Sequence, residues 1–402
     1  MATYLIKLFP IDRFFFGSDV TFGPDNENYF VRSAYFPQQT TLLGMLRYYL
    51  LVQNNMLDTK GKVIDYKTLE ANDLIGVTGF DSESKSEGEF GIIKKISPVF
   101  IVGPDGEYFV QSREYGLQWR EDKLMNKKIQ ELVPLKLGKK EGAGSFDPQQ
   151  ISYFEGFNSK TEFPDLLVNA RSGAVKYFEY LHQRNGESVN GIFVANEQVG
   201  IRLPERGKPR DLDKGFYKQI GYTMLPGYGF GFYAKIDNDS SQLFENGLVR
   251  MGADQSWFRI ERVLVNEKDQ SINDSFSVDK SKSIVKNLFR RVNSFDEKVV
   301  LLSDCYLERD MYETCHFASV STVPFQYMKI VDPEKPGFLQ EAKGAYRLDG
   351  AGIKLKKSKE YRTLLKKGSV LYVRDKQEKD KLIAHLAEAN KTYHQIGYNY
   401  AI

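Results

Sequence analysis

The side chains best suited to acid–base or nucleophilic chemistry in this chain are four histidines and two cysteines. His182, His316, His385 and His394 stand in no H-E-x-x-H or H-x-x-x-H frame, and none pairs with a cysteine at zinc-finger spacing. Cys305 and Cys315 lack the spacing of a metal clamp, and free thiols in a cytosolic protein suit them better than a disulfide framework. A phosphate-binding G-x-x-x-x-G-K-[ST] loop is absent. The glycine-rich Gly227-Tyr228-Gly229-Phe230-Gly231 is flanked by strand patterns instead of opening a helix, which disfavours a dinucleotide loop. No metal site and no cofactor is expected, and His316 or His394 is left as the candidate for a general base.

Other residues have the chemistry to hold a nucleic acid. The loop Asp12-Arg13-Phe14-Phe15-Phe16-Gly17-Ser18 joins a cation, three aromatics and a glycine directly after a strand pattern. Pro37 then leads into Gln38-Gln39-Thr40-Thr41, the first turn of an amphipathic helix on which Leu42, Leu43, Leu46, Tyr49 and Leu50 share a face, with Arg47 outside the stripe. Such a start attracts anions through its free N–H groups and the helix dipole, although an ordinary capped helix has the same sequence pattern. A charged loop at Glu205 to Lys214 carries Arg206, Lys208 and Arg210 behind the strand Gln198 to Leu203.

These segments must be positioned by a larger framework. The 402 residues predict about two domains. The 28 Phe and 24 Tyr, punctuated by 33 Gly, fit sheets with glycine turns at least as well as stacking platforms for bases. A net charge of +3, from 56 basic and 53 acidic residues, is too small for bulk attraction of an anion, so local clusters must do the work. Strands are expected at Thr3 to Phe9, Phe216 to Leu225, Tyr228 to Ile236, Lys298 to Asp304 and Val323 to Ile330. Hairpins are expected around Gly103-Pro104-Asp105-Gly106 and Gly252-Ala253-Asp254, and helices at Ser281 to Val292 and Gln377 to Asn390. The class is α+β. Residues 113 to 165 lose regularity and gather lysines, which suggests an insertion or mobile loop. No apolar run suits a signal peptide or approaches the roughly 20 residues that cross a bilayer, so a soluble, cytoplasmic protein is expected.

Phe36-Pro37-Gln38-Gln39-Thr40-Thr41-Leu42-Leu43-Gly44-Met45-Leu46-Arg47, following the Asp12 to Gly17 loop, resembles the opening of one family of the RAMP superfamily. That family is subunit three of the type III-B (Cmr) CRISPR effector. Gln198 to Leu203, Lys367-Gly368-Ser369-Val370-Leu371-Tyr372 and Ile396-Gly397-Tyr398 match it in the same order. The chain departs where the family's helix often begins with a run of prolines, since only Pro37 remains here.

The resemblance implies two ferredoxin-like (RRM-like) domains with antiparallel sheets and insertions, over 1–240, with a basic insertion near 113–190, and 241–402. It implies a non-catalytic subunit that grips the crRNA 5′ tag and contacts the large polymerase-like subunit and the first backbone subunit, with cleavage left to other subunits. On the logic of phosphate contact plus base stacking, the RNA contacts expected are Arg13, Gly17, Ser18, Gln38, Gln39, Thr40, Thr41, Arg47, Arg202, Lys208, Arg210 and Tyr228. Three alternatives stay open: a RAMP endoribonuclease that processes guide RNA with His316 or His394, the equivalent subunit of a sister type III complex, and a carbohydrate-binding sheet protein.

Overall fold

A computed structural model describes residues 1–17, 30–59, 61, 63–77, 79–122, 127–141, 150–157, 163–182, 188–201, 216–237, 245–252, 254–265, 297–331, 346–347, 354–357 and 361–402. The expected helix at Ser281 to Val292 lies outside them. Among the described residues the protein is α+β and mostly sheet.

Its first strand is β1 (Ala2–Pro10), where Tyr4, Ile6 and Leu8 face the main core and the alternate residues face the other way. Eleven further strands join it: β2 (Phe30–Arg32), β3 (Ile93–Ile96), β4 (Phe100–Gly103), β5 (Gly106–Val110), β6 (Leu166–Asn169), β7 (Val175–Glu179), β8 (Gly191–Ile201), β9 (Phe216–Met224), β10 (Gly229–Ile236), β11 (Gly247–Met251) and β12 (Ser256–Leu264). The order is β11-β12-β1-β10-β4-β5-β6-β7-β8-β9-β2, with β3 also paired to β10. Neighbours are antiparallel except β7 with β8 and β9 with β2. The Pro104-Asp105 turn links β4 to β5 as expected, with Gly106 at φ +134° supplying a backbone that other residues avoid. Strands β11 and β12, which follow residue 240, pair through β12 with β1, so both sides of the expected domain boundary share one sheet.

Helix α1 (Gln39–Gln53) follows β1 and β2 in sequence and buries Leu42, Leu43, Leu46, Tyr49 and Leu50 against the Tyr4, Ile6 and Leu8 face. Helix α2 (Thr68–Ile75) packs beside it. The other face of the sheet, at Phe100, Val102, Phe109 and Tyr233, is covered by a smaller layer. That layer contains β13 (Lys298–Val300) and β14 (Phe317–Ser319) on either side of β17 (Val370–Tyr372), while β15 (Thr322–Phe325) pairs with β16 (Arg362–Leu365) and their Phe325 and Leu364 join the main core. Helix α3 (Lys376–Glu388) closes it through Leu382, Ile383 and Leu386, capped by Asp375 accepting from the Glu378 amide at 2.8 Å. The short α4 (Lys391–Gln395) leads into the tail.

Two expectations change here. Residues 113 to 165, expected as an insertion or mobile loop, contain two hairpins, Tyr115–Asp122 with Lys127–Pro134 and Leu137–Glu141 with Gln150–Phe154. Leu135 and Phe154 anchor this segment in the second core, with Leu137 and Phe163 packed against them. The expected strand at Val323 to Ile330 is split into β15 and Met328–Val331.

The large sheet and the smaller layer are joined by a buried ion pair. Lys298 Nζ stands 2.7 Å from Glu114 Oε2, with both side chains essentially inaccessible. Ser112 Oγ donates to the same oxygen at 3.1 Å, and the Tyr372 hydroxyl donates to Glu114 as well. Burial pushes the Lys298 ammonium below its usual range, and Glu114 counteracts this. Removing one partner leaves a buried charge uncompensated, so Glu114→Ala is expected to cost about 3–5 kcal/mol, seen as a lower urea midpoint. An unchanged midpoint would show that the pair does not hold the layers together.

Candidate nucleic-acid interface

The start of α1 is built from three distant pieces of chain. Gln38 is its N-cap residue, extended at φ −67° and ψ 149°, and its carbonyl accepts from the amides of Thr41 at 2.9 Å and Leu42 at 3.2 Å. The Gln38 side chain is exposed and makes no capping bond, and the first turn has no acidic residue. The positive end of the helix dipole is therefore not neutralised by the helix's own side chains. Thr40 and Thr41 are half-buried beside it.

Gln39 turns inward instead. It is 3% exposed, and its Nε2 donates to the carbonyls of Ser97 and Ile396, each at 2.8 Å. The next residue of the tail, Gly397, sits at φ +98° and passes so close that a Cβ there would fall on the Gln39 amide and 2.5 Å from the Ser97 carbonyl oxygen. Only glycine fits that passage. Tyr398 follows, fully buried, with its hydroxyl against Gln39 and Thr40; burial raises its pKa well above the usual phenol range, and Asp304 adds to this.

The third piece is the Lys366 to Ser369 turn before β17. Lys367 is 9% exposed, and its ammonium lies 3.7 Å from the ring centroid of Phe36, two residues before the helix N-cap. Its backbone N–H donates to Asp304 Oδ1 at 2.9 Å, and Gly368 at φ +84° lets the chain turn against Val110 and Gln111.

Beside this start lies the loop after β1. Phe14 exchanges both backbone hydrogen bonds with Tyr222 of β9, at 2.8 and 3.0 Å. The Phe16 amide donates to Ser33 Oγ at 2.9 Å, and the Gly17 carbonyl accepts from Ala34 at 2.8 Å. Gly17, at φ +82°, has open space on its side-chain position. Arg13 folds over Gly221 with its guanidinium 3.7 Å from Asp254. Glu179 braces the same region, accepting from the hydroxyls of Tyr35 and Tyr222 and pairing with Arg32 at 3.0 Å.

The expected contact residues thus divide. Gln38, Thr40, Thr41 and Gly17 lie at or near the surface around the α1 start, with Arg13 partly covered nearby. Gln39 is a buried strut, since its amide finds two backbone carbonyls inside. Arg47 is held over the Phe90 ring at 5.0 Å, and burial lowers its guanidinium to about 10, so it is a packing cation instead of a free contact. Tyr228 is 9% exposed, receives a hydrogen bond from Lys176 and packs at 6.0 Å from the Tyr108 ring, which leaves no face for a base. Phe14 and Phe16 likewise fill the core with Phe230 and Phe258. Ser18, Arg202, Lys208 and Arg210 lie outside the described residues. Sequence inspection missed Phe36, Lys367 and Tyr398 as parts of this site, although all three stand inside or beside motifs it singled out.

The pieces that converge here are the segments whose order along the chain resembled one family. The model of that family, described as CRISPR-associated protein (Cas_Cmr3), matches residues 6–402. The chain belongs to the Cas_Cmr3 family. No curated protein matches the chain. Two solved structures contain chains similar to this Cas_Cmr3 member over 100% of its length and 96% of theirs. Type III-B Cmr-beta bound to cognate target RNA and AMPPnP contains one at 13% identity and a TM-score of 0.44, and Cmr-beta bound to cognate target RNA contains one at 14% identity and 0.42.

The two histidines left as candidate bases stand in different surroundings. His394 stacks on Tyr400, with centroids 4.1 Å apart and planes at 13°, and burial followed by nearby Lys95 lowers its pKa to about 3, far below a base poised for neutral pH. His316 is exposed, and burial, Lys139 and Arg374 lower it from its ordinary value. Among the described residues no group of three or more His, Cys, Asp or Glu could hold a metal.

Since His394 takes up a proton in the unfolded chain near pH 6.5 but in the folded one only near pH 3, its contribution to stability is complete above 6.5 and is lost as pH falls. Stability measured by urea denaturation is expected to drop by up to about 1.4 kcal/mol per pH unit between these values, and less steeply in His394→Phe. Parallel pH profiles for the two proteins would contradict this.

Proposed function

We propose that this Cas_Cmr3 member is a non-catalytic, cytoplasmic RNA-binding subunit of a type III-B effector. It grips the 5′ tag of the guide RNA and links the large polymerase-like subunit to the first backbone subunit. The observation that carries this reading is the α1 start. An uncapped helix end, without acidic residues in its first turn and with Gln38, Thr40 and Thr41 around it, is held in place by the Gln39 contacts to Ser97 and Ile396. Short polar side chains at the positive end of a helix suit the phosphates and base edges of a single strand. In this reading Gly17 and Arg13 of the loop after β1 extend the track. The antiparallel order β12-β1-β10-β4, with α1 between β1 and β4 in sequence, supports a ferredoxin-like core for the first lobe.

In the triple variant Gln38→Ala/Thr40→Ala/Thr41→Ala, affinity for RNA carrying the guide 5′ tag should weaken by about 1–3 kcal/mol while the fold persists, because alanine favours helix. Unchanged affinity would move the site elsewhere. Repeat-containing RNA incubated with the protein in the absence of metal should remain intact; clean cleavage that is lost in His394→Ala would replace the scaffold by a nuclease.

A further inference from the structure

We propose that the outer face of β11 and β12 is a stacking ledge for single-stranded RNA, where Trp257, Arg250 and Arg259 receive bases without regard to sequence. The inference rests on the RNA-binding role proposed above and adds a second contact to it. In β12, Phe258 and Ile260 point into the main core, so Trp257, Arg259 and Val263 alternate onto the opposite side of the sheet. The smaller layer covers that side over β4, β5 and β10, but no residue of β11 or β12 belongs to the core it forms. Trp257 is accordingly 43% exposed and Leu248 of β11 57%.

The strand register sets flat groups in rows. Trp257 stands directly opposite Arg250, whose guanidinium lies over the indole at 4.2 Å from its centroid. Arg259 stands between Leu248 and Phe9 of the neighbouring strands, with its guanidinium 4.8 Å over the Phe9 ring. The two rows are two residues apart along β12, about 7 Å. A guanidinium held flat on a ring keeps its other face for a base and its edge N–H groups for a phosphate. Charge points the same way. Arg250 has no ion pair among the described residues and Arg259 shares Glu261, so the stacks carry an excess of positive charge. An apolar protein partner would have to strip water from both guanidiniums without offering them an acceptor, which is costly.

The ledge also adjoins the loop assigned to RNA above. The chain leaves β1 beside it, where the Ile11 N–H donates to the Trp257 carbonyl at 3.1 Å, and reaches Arg13 two residues later. Arg13 in turn stands 3.7 Å from Asp254, in the turn that joins β11 to β12.

The test uses the full chain carrying Trp119→Phe, which leaves Trp257 as its single tryptophan, with an oligouridylate as the probe. Trp257 fluorescence should be quenched in step with binding. Trp257→Ala should bind the probe about fivefold or more weakly, and tag and scrambled RNA likewise, while Trp257→Phe recovers most of the loss. Arg250→Gln should flatten the plot of log affinity against log salt by about 0.7, with Trp257 still in place to report a folded chain. RNA binding that leaves Trp257 emission and Trp257→Ala affinity unchanged would overturn the ledge and leave the α1 site standing. A wild type that self-associates and is dissociated by Trp257→Ala would overturn it too, since the face would then join two copies of the chain. So would a loss confined to the tag sequence. A wild type that binds no RNA at all removes the proposed function and the ledge together.

Discussion

One amide side chain fixes the geometry on which the candidate site depends. Gln39 opens α1, and instead of pointing to solvent it joins the link between β3 and β4, through Ser97, to the tail, through Ile396. The helix start is thereby held against both the large sheet and the tail. Leucines alone would bury α1 but leave it free to slide by fractions of a turn, whereas two directional hydrogen bonds at its first residue set its end point. Gly397 is the matching constraint, since the tail approaches the strut too closely for any side chain.

Around this strut the aromatic residues act chiefly as structure. Phe14, Phe16, Phe36, Phe193, Phe230 and Phe258 pack edge to face or tilted, with Phe16 and Phe258 stacked, at centroid distances of 4.8 to 6.4 Å, a range in which ring quadrupoles add to the burial of apolar area. The loop after β1 owes its shape to them. Its polar surface is what remains once three consecutive phenylalanines have turned toward the protein, which is how an Arg and a Gly come to flank a greasy run.

Much of this was legible in the sequence because the signals are local. Pro10 closes β1, Gly-Pro-Asp-Gly makes the β4–β5 turn, and the spacing of Leu42, Leu43, Leu46 and Tyr49 makes α1. The inward turn of Gln39 was not legible, since its partners lie 58 and 357 residues away and a glutamine among polar neighbours looks like surface. Tyr228 was misjudged for the same reason: a Tyr between glycines invites a stacking role, and only the fold brings Lys176 and Tyr108 against it. The lysines of residues 113 to 165 hid two hairpins, a segment that Leu135 and Phe154 tie to the second core.

The strut also carries a message about the order of events in the cell. The carbonyl that Gln39 takes from Ile396 is synthesised 357 residues after it, whereas that of Ser97 comes 58 residues after it. Chains fold progressively from the N-terminus as they are made. The large sheet, whose last strand ends at Leu264, can therefore assemble with the helix start held by Ser97 alone. The second bond, and with it the final setting of that end, waits for Ile396.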